Sequence, residues 1–89
     1  MLKENIEIIN ELGLHARAAS KLVSLASKYG SETKLILSNG LAANCKSIMG
    51  LMMLAASCGT VVVLCSEGED DVQAFEAIKT LIQNKFGEG

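Results

Sequence analysis

The stretch SIMGLMMLAASCGTVVVLCS, residues 47–66, runs for 20 residues without a charge. That length would span a bilayer as a single helix. Its internal order argues against that reading. Gly59 is a stop signal after an apolar helical run, and three β-branched residues, Val61, Val62 and Val63, then favour a strand. Only Lys46 lies beside the run, so the basic flank of a membrane span is missing. The stretch therefore divides into a short helix, capped by Ser47 and ending near residue 57, and a strand over 60–66.

Working outward, residues 2–9 read as a strand, with Ile6 and Ile8 on one face and Asn5 and Glu7 on the other. Residues 10–14 form a loop containing Gly13. From residue 15 to 29 the apolar positions Ala19, Leu22, Val23 and Ala26 recur at helical spacing, opposite Ser20, Lys21, Ser24 and Lys28. Gly30 stops that helix. Residues 33–38 form a second strand. Asn39-Gly40 predicts a two-residue hairpin turn, because both positions tolerate positive φ. A short strand follows over 41–44. Gly68 and the acidic group Glu69-Asp70-Asp71 suit the positive start of a last helix. That helix runs to about Phe86, buries Val72, Phe75, Ile78 and Ile82, and ends at Gly87. The order is β-α-β-β-α-β-α, an α+β arrangement with one mostly antiparallel sheet and all three helices on one face.

The 89 residues make a single domain, 1–89, too small to enclose a large active site. A content of 49% hydrophobic and 20% charged residues excludes a disordered chain. Eight Lys+Arg stand against ten Asp+Glu, and there is no Trp. A nucleic-acid binder needs a basic face and stacking aromatics, so that class is set aside. Cys45, Cys58 and Cys65 are odd in number and lack C-x2-C spacing. A zinc site of these three with His15 is conceivable on ligand count alone, but small apolar side chains in a reducing cytoplasm explain them better. No secretory leader is expected, because the chain is charged from Lys3.

His15 is the only histidine, in Gly13-Leu14-His15-Ala16-Arg17-Ala18-Ala19. Helix starts leave amide N–H groups unpartnered and carry about half a positive charge. The amides of Ala16, Arg17 and Ala18 are thus candidate phosphate contacts, and Arg17 adds a fork of donors suited to phosphate oxygens. The same environment favours the neutral, nucleophilic imidazole. The bland alternative is a tolerated surface histidine. No nucleotide loop, dinucleotide fingerprint or Ser–His–Asp set competes with it.

The helix after Ser47 has almost no polar face. A domain this small cannot bury it all round, so Ile48, Met49, Leu51 and Met52 are read as a docking patch. The alternative is a helix wedged wholly inside. Ser47 is an N-cap, and its hydroxyl is also a candidate switch. A phosphate there would add about two negative charges to the patch.

Taken together, these residues resemble the HPr family, the histidine-containing phosphocarriers of the bacterial sugar phosphotransferase system. Gly13-Leu14-His15-Ala16-Arg17 is similar to the family's active-site motif. Lys46-Ser47-Ile48-Met49-Gly50-Leu51-Met52 is similar to its second signature, and Glu67-Gly68-Glu69-Asp70 to the turn before its last helix. The family usually has Pro after the arginine, where this chain has Ala18. Pro would only pre-set φ in a first turn, and Ala is a good helix former there.

The resemblance implies an open-faced β-sandwich. It implies that His15 takes a phosphoryl group from phospho-Enzyme I, itself charged from phosphoenolpyruvate, and passes it to a histidine of an Enzyme IIA-type protein. Arg17 would contact the phosphate, and Ser47 falls at the position that HPr kinase/phosphorylase modifies in some bacteria. Such a protein is a stoichiometric carrier rather than an enzyme, without metal or cofactor of its own. It is expected as a cytoplasmic monomer docking through interfaces below about 1,200 Å². A nitrogen-related phosphorelay, or a regulatory module acting by contact alone, remains open at this point.

Overall fold

The computed structural model describes residues 1–88. The elements are β1 (Leu2–Glu7), α1 (Ala16–Ala26), β2 (Glu32–Ile36), β3 (Ala42–Asn44), α2 (Ile48–Leu54), β4 (Val61–Glu67) and α3 (Asp71–Gln83), followed by a 3-10 turn, Lys85–Gly87. The four strands form one antiparallel sheet in the order β1-β4-β2-β3. This is the α+β open-faced architecture that the sequence predicts, with the helices on one face.

The apolar run of β4 is central because it has a neighbour on each side. Val62 lies opposite Ile6 of β1, and Leu64 lies opposite Leu35 of β2. All four side chains are buried against the helices. Leu22, Ala26, Ile78 and Ile82 close the core from α1 and α3. Alternation then puts Val61, Val63 and Cys65 on the uncovered face. No helix among the described residues is long and apolar enough to cross a membrane.

Several boundaries differ from the sequence reading, each for a local reason. The hairpin after β2 has three loop residues rather than two. Leu37 N–H donates to Leu41 C=O at 2.8 Å, and only Gly40 takes a positive φ, of 89°. This is the geometry of a tight turn followed by one left-handed residue. Asn39 contributes through its side chain instead, accepting from Leu41 N–H at 2.9 Å. The helix α2 stops at Leu54 because Ala55 turns left-handed, with φ 52°. The helix α3 stops at Gln83, short of Phe86, and Val72 is 55% exposed rather than buried. Ala74 takes the inward position in its place.

Asp70 does more than favour the start of α3. Its carboxylate accepts from the amides of Gly30 and Ser31, at 3.0 and 2.9 Å, and from the Ser31 hydroxyl. It thereby ties the turn after α1 to the entrance of α3. These bonds, led by the Ser31 hydroxyl, hold its carboxyl below the usual value of 3.8. A depressed folded value means the stabilisation is complete above the ordinary value and is lost as pH falls through the lowered one. Urea midpoints are therefore expected to fall on acidification below about pH 4. Asp70→Asn is expected to lower the neutral-pH midpoint and flatten that decline; an unchanged profile would show that the clamp contributes nothing.

The cysteines are separated by burial. Cys45 is wholly interior, and burial pushes its thiol up to about 12. Cys65 is also buried, whereas Cys58 is exposed. Among the described residues, no group of three or more His, Cys, Asp or Glu is placed to hold a metal ion.

Candidate functional site

The site is assembled on the loop between β1 and α1. Asn10 is fully buried and donates its side-chain amide to Gly13 C=O at 2.7 Å. Gly13 N–H donates back to Asn10 C=O at 3.0 Å, and Leu14 N–H donates to Ala56 C=O at 2.8 Å. Gly13 has φ 66°, and a β-carbon there would lie 2.6 Å from Ala56 O. Only glycine allows the loop to press this closely against the segment after α2. The loop delivers His15 in extended conformation as the residue before α1.

Ala19 N–H donates to His15 C=O at 2.8 Å, closing the first turn of the helix. The amides of Ala16, Arg17 and Ala18 precede that bond, and the His15 side chain makes no capping bond to them. Arg17 is exposed, and the His15 side chain keeps 27% of its surface. Both line an open depression of about 760 Å³ with Ala16, Cys58, Lys85 and Glu88. The structure thus brings together the imidazole, the guanidinium and the helix start that the sequence singled out.

It also brings in two residues the sequence reading missed. The Glu88 carboxylate meets His15 Nε2 through one oxygen. Its other oxygen accepts from Asn10 Nδ2 at 3.0 Å. The bonds from Asn10 and then His15 hold the Glu88 carboxyl below the usual carboxylate value. Nothing in local pattern could have paired residues 73 apart in sequence.

The second candidate feature lies on α2. Ser47 caps that helix, its hydroxyl oxygen accepting from Gly50 N–H at 3.0 Å. Ile48, Met49 and Met52 are exposed by 42%, 74% and 46%. Leu51 is not part of that surface: it is completely buried, as is nearly all of Leu54. Positions three apart share a helix face, so these two leucines turn inward together. Met53, 74% exposed, joins the outward group in place of Leu51.

Comparison with known proteins places this geometry in a family. Residues 2–84 match the family model described as the PTS HPr component phosphorylation site. The chain is 53% identical to the phosphocarrier protein HPr of Neisseria meningitidis serogroup A, over 100% of this chain and 99% of that protein. It is 49% identical to the HPr of Cupriavidus necator over the same shares. Among solved structures, HPr-C-His from Thermoanaerobacter tengcongensis superposes with a TM-score of 0.93 at 46% identity, covering 100% of this chain and 99% of that one. An HPr dimer from the same organism superposes at 0.77 and 45% identity, covering 99% and 100%. The chain belongs to the HPr family, the phosphocarrier proteins of the phosphotransferase system.

Proposed function

We propose that His15 is the phosphoryl acceptor of this carrier. It takes the group from phospho-Enzyme I, charged by phosphoenolpyruvate, and passes it to a histidine of an Enzyme IIA-type protein. The observation that supports this most strongly is the position of the ring. It is partly exposed at the first turn of α1, beside Arg17, with Nε2 already taken up by Glu88. Nδ1 is then the nitrogen left to attack phosphorus. The amides of Ala16, Arg17 and Ala18, with the Arg17 guanidinium, would cradle the phosphate oxygens. One arginine and a helix start hold a phosphoryl group without trapping it, as a relay requires.

In this reading the protein is a monomeric, cytoplasmic carrier, consumed and regenerated stoichiometrically rather than acting as a catalyst. Incubation with Enzyme I and labelled phosphoenolpyruvate is expected to give one acid-labile phosphoryl group per chain, on His15. Label confined to another residue would overturn the assignment. No label at all would leave a module that acts by contact.

Docking is assigned to the outward side of α2. Ile48, Met49 and Met52 form an apolar face, and methionine repacks readily against different partners. Ser47 borders that face, so kinase-dependent phosphorylation there would place about two negative charges on it. Met52→Glu and Ser47→Asp are each expected to weaken binding to an Enzyme IIA-type protein about tenfold or more, equivalent to roughly 1.4 kcal/mol. Unchanged calorimetric affinity in both variants would remove α2 from the interface.

A further inference from the structure

We infer that Glu88, held by Asn10, is a positioning residue for His15: it fixes the ring proton on Nε2 and so presents the Nδ1 lone pair to phosphorus. The inference rests on His15 as the acceptor and adds a regulator of its ring. Two observations and one chemical argument carry it.

The first is how Glu88 arrives there. Lys85, Phe86 and Gly87 take φ of 57°, 53° and 77°, a left-handed run that reverses the chain after α3. Two of these residues are not glycine, so the conformation persists only where surrounding contacts enforce it. Phe86 supplies one contact, with its side chain completely buried. Lys21 of α1 supplies another, donating its ammonium to Phe86 C=O at 2.8 Å. The carboxylate is therefore delivered by an anchored turn rather than by a free side chain on an open surface.

The second is that both carboxylate oxygens are in use. Asn10 Nδ2 donates to one at 3.0 Å and to Gly13 C=O at 2.7 Å. Both neighbours of that amide group are acceptors, which settles its orientation. The other carboxylate oxygen faces His15 Nε2. An ionised carboxylate only accepts, so the neutral ring must carry its proton on Nε2. A carboxylate partner of this kind selects tautomer and ring plane together.

The third is the charge change in the reaction. Nδ1 donates its lone pair to form the new N–P bond, as the donor's own bond to phosphorus breaks and that pair returns to the donor atom. The Nε2 proton stays in place throughout. The ring becomes cationic while facing the Glu88 carboxylate, which favours the charged form. On the outward step an acceptor nitrogen attacks phosphorus, and the N–P pair returns to Nδ1.

The test compares wild type with Glu88→Gln and Glu88→Ala. Only one of the two terminal atoms of a glutamine accepts, so it cannot meet Asn10 and an Nε2–H on separate atoms as the carboxylate does. Nitrogen-15 spectra of the ring are expected to show a single Nε2–H tautomer in wild type and a mixture in both variants. The kcat/KM for transfer from phospho-Enzyme I is expected to fall about 10- to 100-fold, by analogy with metal-binding histidines that lose their orienting carboxylate. Part of the label should also appear on Nε2, resolved by phosphorus-31 spectra. An unchanged tautomer signal, or an unchanged transfer rate, would overturn the role of Glu88. Label mapping keeps the two readings apart: both variants are expected to carry their label on His15, and label elsewhere would sink the acceptor assignment itself.

Discussion

His15→Ala is expected to take up no phosphoryl group from phosphoenolpyruvate and Enzyme I, while folding normally. On the reading proposed above, removing the ring removes the nitrogen that would form the covalent bond. Cys58 lines the same depression, but in that reading its thiol is not the acceptor. The fold should survive because the His15 side chain is partly exposed and its principal side-chain partner is Glu88, which water can solvate. A stability change below about 1 kcal/mol is expected, in line with substitutions outside the core. Circular dichroism and a thermal melt would check the fold, and label incorporation would check the chemistry. Labelling of His15→Ala at the wild-type rate would move the acceptor elsewhere.

Phe86→Ala is expected to be the most damaging single substitution for stability. The ring has no exposed surface and packs in the same core as Leu22, Ile78 and Ile82. Truncating a buried phenylalanine costs about 3–5 kcal/mol, part transfer and part cavity. Left-handed backbone at Lys85 and Phe86 opposes the turn by roughly 1–2 kcal/mol per residue, so little remains to hold it once the ring is gone. A domain of this size loses about 4–8 °C in Tm per kcal/mol. A fall of about 12 °C or more is therefore expected in calorimetry. A fall under about 4 °C would mean that the turn is held by something other than this side chain.

Most of the architecture was legible because pattern and chain punctuation agreed. The valines of β4 and the helical spacing of Ala19, Leu22 and Ala26 point to the elements that appear. The first turn of α1 was legible as a candidate site because Gly13, His15 and Arg17 lie close together in sequence, and helix starts have chemistry of their own. Four other residues were not legible in their placement. Leu51 looked equivalent to its methionine neighbours, since an all-apolar helix offers no polar face to mark its outward side. Val72 fitted the apolar stripe of α3, yet a first-turn residue can lie beyond the edge of the sheet. Phe86 fitted a continuing helix, and its left-handed φ is enforced by distant contacts rather than by local propensity. Glu88 was lost with it, because its meeting with His15 depends on that reversal.

The two edges of the sheet bear on how such a carrier behaves when crowded. An unpaired strand edge is a template for another chain, and long apolar edges invite aggregation. Here β3 has only three residues, and β1 exposes Lys3, Glu4, Asn5 and Glu7. Short, charged borders of this kind offer a second copy little backbone to pair with along either edge.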